Sequence, residues 1–185
     1  MLIPHSPESW ISLRTIPCVD VRAPAEFSRG HIPEARSIPL FGDEARALVG
    51  TLYKHSGKEA AVRLGFELIA PHINSLIEQY HVIAPEKEVR IYCARGGMRS
   101  GSIAQMLNLL GFRVHLLQGG YKAYRQFVAT VFSKKYLFRT ISGKTGSGKT
   151  HILHALEKRG EQIVDLEKLA SHKGSVFGAL GETKQ

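Results

Sequence analysis

The sequence contains very little cysteine. Among its 185 residues there are two cysteines, Cys18 and Cys93. Two cysteines are too few for the disulfide framework of a small secreted domain, and a single reactive thiol suits a reducing compartment. The scarcity of cysteine therefore argues against a disulfide-stapled scaffold and leads us to expect a cytoplasmic protein.

Long apolar runs are missing as well. No stretch of the sequence approaches the length of a membrane-spanning helix. The first residues of the chain lack the basic region and long apolar core that together mark a signal peptide. We therefore expect neither a membrane anchor nor export.

Acidic residues are outnumbered by basic ones. There are 16 Asp and Glu against 25 Lys and Arg, which gives a formal net charge of +9 and a pI near 9.7. This balance favours a polyanionic partner such as RNA or a phosphorylated substrate, with a merely basic surface as the alternative. A candidate RNA-facing surface, or else a solvated face, is formed by the basic residues of a predicted helical stretch: Arg46, Lys54, His55, Lys58 and Arg63.

The most informative stretch is a cysteine followed by a basic, glycine-rich loop, Cys93-Ala94-Arg95-Gly96-Gly97-Met98-Arg99-Ser100. Such a Cys-x5-Arg loop between a strand and a helix can turn its backbone N–H groups toward the sulfur. Arg95 and Arg99 add positive charge to this anion cradle. We therefore predict that Cys93 is a nucleophile with a depressed pKa. The alternative, a buried and inert cysteine, is implausible between two arginines and two glycines.

Predicted strands and helices alternate along the chain. This alternation predicts an α/β fold, an open parallel sheet with helices on both faces. In such sheets reactive groups lie at the C-terminal ends of the strands, and Cys93 takes that position. The predicted strands are residues 16–21, 37–40, 88–92 and 114–117, and the predicted helices are residues 7–13, 44–53, 58–80, 102–110 and 121–132.

Polar residues follow the first predicted strand. Pro24 is placed to start a short helix, and Glu26 is placed to cap its first turn. We expect Asp20, Arg22 and Glu26 to form a local ion-pair and capping network, because such networks usually serve structure rather than direct chemistry.

A second glycine-rich loop, Gly143-Lys144-Thr145-Gly146-Ser147-Gly148-Lys149-Thr150, matches the P-loop pattern G-x4-G-K-[ST]. We predict a strand before it, at residues 136–141, and a helix after it. Backbone N–H groups of the loop are predicted to wrap a phosphate, Lys149 to neutralise its charge, and the Thr150 hydroxyl to reach a magnesium ion. The predicted phosphate-binding residues are Gly143, Gly146, Gly148, Lys149 and Thr150.

The residues after Thr150 are too few for a P-loop domain, because sheets hold about five or six strands on average. We predict one further strand, at residues 162–166, and therefore an incomplete P-loop α/β segment from a fragment or an interrupted gene. Its strands lack partners, so we expect poor packing after about residue 135. We expect the preceding domain to fold alone.

Several motifs together resemble a rhodanese domain over residues 13–134: Asp20-Val21-Arg22, Glu26-Phe27, Gly30-His31-Ile32-Pro33, Cys93-x5-Arg99 and Gly119-Gly120. A rhodanese domain joined to a P-loop segment, here residues 135–185, resembles the bacterial tRNA 2-selenouridine synthase family. The resemblance extends to blocks outside the two motifs, at residues 47–54, 119–125 and 165–178.

This resemblance implies replacement of sulfur by selenium in the wobble 2-thiouridine of tRNA. In the implied route, geranyl diphosphate alkylates the sulfur, giving S-geranyl-2-thiouridine, and selenophosphate then supplies selenium as geranylthiol leaves. Cys93 is implied to form an S-selanylcysteine intermediate, with Arg99 steadying the anion and Arg95 binding the phosphate of selenophosphate. Two ligands remain open for the P-loop, namely geranyl diphosphate, or a nucleotide with magnesium.

The implied partners are tRNA and an enzyme that supplies selenophosphate. We expect no tightly bound cofactor, no metal site of the protein's own, and a monomer. Three alternatives stay open. A plain rhodanese-type sulfurtransferase explains Cys93 but not the P-loop. A Cys-x5-Arg phosphatase usually has His where this chain has Tyr92. A non-catalytic RNA-binding remnant is the third.

Overall fold

The computed structural model describes residues 1–144 and 146–170. The chain divides into two compact units, Met1–Lys134 and Lys135–Gln185. None of the helices within the described residues combines the length and the apolar character that crossing a membrane requires.

The first unit is built on a sheet of five parallel strands. The strands are β1 (Leu2–His5), β2 (Cys18–Asp20), β3 (Arg36–Ser37), β4 (Glu88–Tyr92) and β5 (Arg113–Leu117). Their order across the sheet is β1-β5-β4-β2-β3, so β4 is the central strand. The predicted open parallel sheet is confirmed.

Helices connect the strands. They are α1 (Pro7–Ser12), α2 (Pro24–Ser28), α3 (Asp43–Ile69), α4 (Ile73–Ile83), α5 (Met98–Leu109) and α6 (Gly120–Phe132), with a 3₁₀ turn at Ala70–His72. Helix α3 contains a kink at Gly57, which has a φ of 83° and lies between the two helices predicted for this region. Helix α5 begins at Met98, four residues before the predicted start, so its first turn belongs to the Cys93 loop.

Side chains of β4 alternate between the two faces of the sheet. Val89 and Ile91 pack into a buried cluster with residues of α4 and α5. Tyr92 packs on the opposite face with Trp10 and Leu117, against α1 and α6. Burial of each such side chain contributes about 1.5–3 kcal/mol. Helices therefore cover both faces, as the sequence predicted.

Strand β1 is absent from the sequence prediction. It lies at one edge of the sheet, where Leu2 pairs with Val114 and His5 pairs with Leu117. A strand of four residues that contains Pro4 gives almost no periodic signal, and its partner lies more than a hundred residues later. Pro is tolerated there because an edge strand leaves one side unpaired.

In the second unit, the described residues form helices α7 (Lys149–Lys158) and α8 (Leu166–Leu169). The strands predicted at residues 136–141 and 162–166 are wrong, since neither segment is a strand. Leu137 is 95% exposed and Phe138 is 68% exposed. A strand needs a partner for its backbone N–H and C=O groups, and these segments pair with none within the described residues.

Candidate active site around Cys93

Cys93 follows directly after β4, at the C-terminal end of the central strand. The register pairs Tyr92 with Asp20 of β2, and the Val21 N–H donates to the Tyr92 carbonyl at 3.1 Å. The ends of the two strands are therefore level. Cys93 thus lies at the C-terminal edge of the sheet, the position predicted for a reactive group in a parallel sheet.

The Cys93 side chain is buried, with 3% of its surface exposed. The sequence makes burial implausible at this position, and that expectation is wrong. The loop surrounds the sulfur with its backbone rather than with its arginine side chains, so burial does not place an unpaired charge beside it. Arg95 is exposed, and Arg99 is paired with another residue.

Burial raises the pKa of the Cys93 thiol, but hydrogen bonds to the sulfur outweigh burial and hold the pKa below its ordinary value. Ser100 contributes most to this lowering. Its hydroxyl donates to Cys93 Sγ at 3.2 Å, and its N–H acts in the same direction. Backbone N–H groups of Arg95 and Gly97 add to the effect. The N–H groups of the loop therefore face the sulfur, as the sequence predicted.

Ser100 belongs to the Cys93 motif, and the role of its hydroxyl was not predicted from the sequence. It lies in the first turn of α5 and is itself buried. Its position directly after the Arg of Cys-x5-Arg is the signal that could have identified it. The cysteine and this hydroxyl are brought together when the loop closes onto the helix.

Contacts with the start of α6 fix the conformation of the Cys93 loop. The N–H groups of Tyr121 and Lys122, at the start of α6, donate to the carbonyls of Cys93 and Ala94 at 2.9 and 3.0 Å. Gly120 has a φ of 59°, and a Cβ there would lie 2.2 Å from the Cys93 carbonyl oxygen. The second glycine of the Gly119-Gly120 motif is therefore required for α6 to contact the loop.

Arg99, the last residue of Cys-x5-Arg, is turned toward α2. Its Nη1 lies 2.6 Å from Glu26 Oε2, and its Nη2 donates to Oε1 at 3.3 Å. Burial raises the pKa of Glu26, but the hydrogen bond and the charge of Arg99 outweigh it and hold that pKa below its usual value. Anion binding by Arg99 and Arg95 stays a prediction.

The network expected after the first strand is present in part, since Asp20 pairs with Arg22, whereas the ion pairs of Glu26 are with Arg99 and Arg46. Arg22 Nη2 lies 2.6 Å from Asp20 Oδ2 and donates to the Gly30 carbonyl at 2.7 Å. Its guanidinium also lies 4.0 Å from the centre of the Tyr121 ring. Glu26 accepts from the Ala23 N–H at 3.2 Å, which caps α2 as expected. These contacts fix the segment between β2 and Gly30.

Cys18 is a contrasting second thiol. It lies in β2, is also buried, and packs with Trp10 and Tyr92. Burial raises its pKa to about 12, despite a lowering by Arg90. Of the two cysteines, therefore, Cys93 alone is set up as a thiolate.

The P-loop residues of the second unit lie at the start of α7. Gly146 and Gly148 both have a φ of 79°, and Thr150 is the second residue of the helix. Lys149 Nζ donates to the carbonyls of Gly143 and Lys144 at 2.9 and 2.8 Å. Thr145 lies outside the described residues. Phosphate binding by this loop stays a prediction.

The basic residues predicted to face solvent or RNA are exposed on α3: Arg46, Lys54, His55, Lys58 and Arg63. Arg63 also pairs with Glu67 at 3.4 Å, one turn along the helix. The structure thus confirms that these side chains are accessible.

Two family models match the chain. The rhodanese-like domain matches residues 8–127, and the tRNA 2-selenouridine synthase AAA domain matches residues 137–185. The tRNA 2-selenouridine synthase of Nitrosomonas europaea is 42% identical over 169 residues, which cover 89% of this chain and 44% of that protein. The synthase of Bdellovibrio bacteriovorus is 44% identical over 174 residues, again with 89% and 44% covered. The chain thus spans about half the length of these curated relatives.

A crystal structure supports the same grouping. The N-terminal domain of a putative ATP/GTP binding protein from Clostridium difficile 630 is 42% identical, with a TM-score of 0.64. The match covers 67% of this chain and 97% of that domain. The chain therefore belongs to the rhodanese-like domain family, and it joins that domain to a segment that matches the AAA domain of tRNA 2-selenouridine synthases.

Proposed function

We propose that this chain acts in tRNA 2-selenouridine synthesis and that Cys93 is its selenium-handling residue. One observation carries the proposal. The buried Cys93 thiol has a lowered pKa because a hydroxyl and several N–H groups point at its sulfur. Such a site stabilises a thiolate and also the more polarisable anion Cys93–S–Se⁻.

In the loading step, the Cys93 sulfur attacks the selenium of a donor. The S–Se bond forms as the donor's own bond to selenium breaks, and the leaving group, such as sulfite or a thiolate, takes the electron pair. Selenophosphate does not react in this way, because its selenium is already at the oxidation state of selenide and is therefore a nucleophile. With that donor, the cradle and Arg95 hold the phosphate oxygens while the selenium acts as the nucleophile.

The target in this proposal is the wobble 2-thiouridine of tRNA. Geranyl diphosphate first alkylates the sulfur, with diphosphate leaving, and the alkylated sulfur is then a better leaving group. The outer selenium of Cys93–S–Se⁻ then attacks C2, the C–S bond breaks and geranylthiol departs. A thiol next attacks the Cys93 sulfur, which breaks the S–Se bond, leaves selenium on C2 and forms a disulfide with Cys93. When selenophosphate attacks C2 directly, water instead cleaves the Se–P bond and releases phosphate. An enzyme that makes selenophosphate supplies the donor, and the reaction belongs in the cytoplasm, where tRNA is found.

The P-loop and the basic surface have separate tasks in this scheme. Gly143, Gly146, Gly148, Lys149 and Thr150 bind a phosphorylated ligand, either the diphosphate of the geranyl donor or a nucleotide with magnesium. The net charge of +9 and the exposed basic residues of α3 provide the electrostatic attraction for tRNA. The monomer bound to one tRNA is the proposed working form.

Nucleoside mass spectrometry tests this function. The chain is expressed in cells that lack their own 2-selenouridine synthase, and their tRNA is digested and analysed. We expect 2-selenouridine with the unchanged chain and none with Cys93→Ala, while Cys18→Ala behaves as the unchanged chain. Absence of both 2-selenouridine and S-geranyl-2-thiouridine would contradict the activity proposed for this chain.

A further inference from the structure

Glu26 lies between the Cys93 loop and helix α3. Both of its carboxylate oxygens contact the Arg99 guanidinium, at 2.6 and 3.3 Å. In this arrangement, the last residue of the Cys-x5-Arg loop is held by a carboxylate rather than directed toward a ligand. An anionic donor that uses Arg99 must therefore compete with Glu26.

A second arginine lies beside the same carboxylate. Arg46 Nε is 3.7 Å from Glu26 Oε2, and the Arg46 side chain is 49% exposed. Its approach is fixed by Asp43, whose Oδ1 accepts from the Ala25 N–H at 3.0 Å. This bond joins the first turn of α3 to the first turn of α2, so Arg46, one turn further along α3, faces Glu26.

We propose that Glu26 is an exchangeable counter-ion for Arg99 and that Arg46 makes the exchange possible. When an anionic donor enters the Cys93 loop, Arg99 moves from the Glu26 carboxylate to the oxygens of the donor. Arg46 and the Ala23 N–H then remain as the partners of Glu26. Glu26 and Arg46 are positioning residues in this scheme, and neither touches the selenium. The inference rests on the anion-binding role proposed for the loop.

The charges around Glu26 favour such an exchange over a permanent ion pair between Glu26 and Arg99. A partly buried carboxylate that lost its only cation would be strongly penalised. Glu26 avoids this penalty, since it has two cations and one backbone N–H within reach. Arg99 is only 22% exposed, so it contacts a donor from inside the site, whereas Arg46 stays at the rim. The site therefore holds an arginine that an anion can recruit without leaving a charge unpaired.

Protection of Cys93 from iodoacetamide by inorganic phosphate measures anion binding without any selenium chemistry. The dissociation constant of phosphate is obtained from the alkylation rate at increasing phosphate, in the Cys18→Ala background. In Glu26→Gln, Arg99 has no competing carboxylate, so phosphate is expected to bind about three- to tenfold more tightly. Glu44→Gln removes the same charge from an exposed site on α3 and should leave the constant unchanged.

Arg46→Ala provides a second, independent variant at an exposed position. Without Arg46, Glu26 depends on Arg99, so phosphate is expected to bind about threefold more weakly. This loss should disappear in the Glu26→Gln background, because the two residues act through one carboxylate. Arg36→Ala removes a charge of the same sign from an exposed position in β3 and should have no effect.

The outcomes separate this inference from the proposed function. Unchanged or weaker phosphate binding in Glu26→Gln would overturn the counter-ion role, while protection of the parent protein would still support the anion site. An equal effect of Arg46→Ala with and without Glu26 would also overturn it. If phosphate protects neither the parent nor the variants, the anion site itself is wrong, and this inference fails with it.

Discussion

The Ser100 hydroxyl donates a hydrogen bond to Cys93 Sγ at 3.2 Å. Both side chains are buried, with 1% and 3% of their surfaces exposed. Because desolvation alone would favour the neutral thiol, this bond is one of the interactions that keep a buried cysteine reactive.

Replacement of Ser100 by Ala is expected to raise the pKa of Cys93. A hydrogen bond of this kind contributes about 1 kcal/mol, so the alkylation-rate profile should move up by somewhat less than about one pH unit. The profile is measured with iodoacetamide in the Cys18→Ala background. Ser102→Ala removes another hydroxyl from α5, one that donates to the Met98 carbonyl, and should leave the profile in place.

Replacement of Gly120 by Ala is expected to distort the Cys93 loop. The added Cβ would lie 2.2 Å from the Cys93 carbonyl oxygen and 2.5 Å from the Gly96 nitrogen, at a backbone φ of 59°. The free energy of unfolding should fall by more than about 2 kcal/mol, and the thiol should lose reactivity. Urea denaturation and alkylation measure the two effects.

The matched control is Gly101→Ala in α5, where an added Cβ meets nothing within 4 Å. Ala is favoured over Gly inside a helix, so this variant should be stabilised by up to about 1 kcal/mol. Equal stability of the two variants would contradict the packing argument.

The edge strand β1 should make stability depend on pH. His5 Nε2 lies 2.8 Å from His115 Nδ1, and His115 Nε2 lies 3.0 Å from Glu88 Oε1, with Arg113 Nη1 3.5 Å from the same oxygen. Burial, and then the charge of His115, lower the pKa of His5 below 6.5. The unfolded chain therefore binds a proton more readily there, and stability falls as pH drops through and below 6.5.

Urea denaturation at about pH 7.5 and about pH 5.5 checks this dependence. The loss of stability between the two conditions should be smaller in His5→Gln than in the unchanged chain. His72→Gln, at an exposed position outside the sheet, should show the full loss. If His5→Gln lost as much stability as the unchanged chain, His5 would not be a cause of the pH dependence. The pKa of Glu88 is lowered chiefly by the hydrogen bond from His115. Protonation of Glu88 therefore causes a further loss of stability at lower pH.

Replacement of Lys149 by Ala is expected to weaken phosphate binding by the P-loop about tenfold or more, since a hydrogen bond to a charged group contributes about 1.5–3 kcal/mol. In the structure, its ammonium group donates to two loop carbonyls, so it already reaches back over the loop. Calorimetry with geranyl diphosphate and with a magnesium nucleotide measures the effect and shows which ligand binds. Lys158→Ala, at the end of α7, is the control. Unchanged affinity for both ligands in Lys149→Ala would exclude the P-loop as their site.

Local patterns were sufficient for the central part of the fold. Strand Glu88–Tyr92 was predicted with its observed bounds, because alternating side chains and the glycine loop after it are neighbours in sequence. Contacts between residues that are far apart in the sequence were not predicted. Glu26 and Arg99 are 73 residues apart, and Leu2 finds Val114 only across the completed sheet. The two strands predicted around the P-loop failed for the opposite reason, since they had a suitable local pattern but no partner strand in the part of the chain that the structure describes.

Loading of selenium onto Cys93 tests the central claim most directly. The purified chain is incubated with selenosulfate, whose selenium passes to the thiolate as sulfite leaves, and its intact mass is measured. We predict a gain of one selenium atom, located on Cys93, reversed by a thiol reductant, present in Cys18→Ala and absent in Cys93→Ala. No gain of selenium, or an equal gain in Cys93→Ala, would contradict the assignment of Cys93 as the selenium-carrying residue.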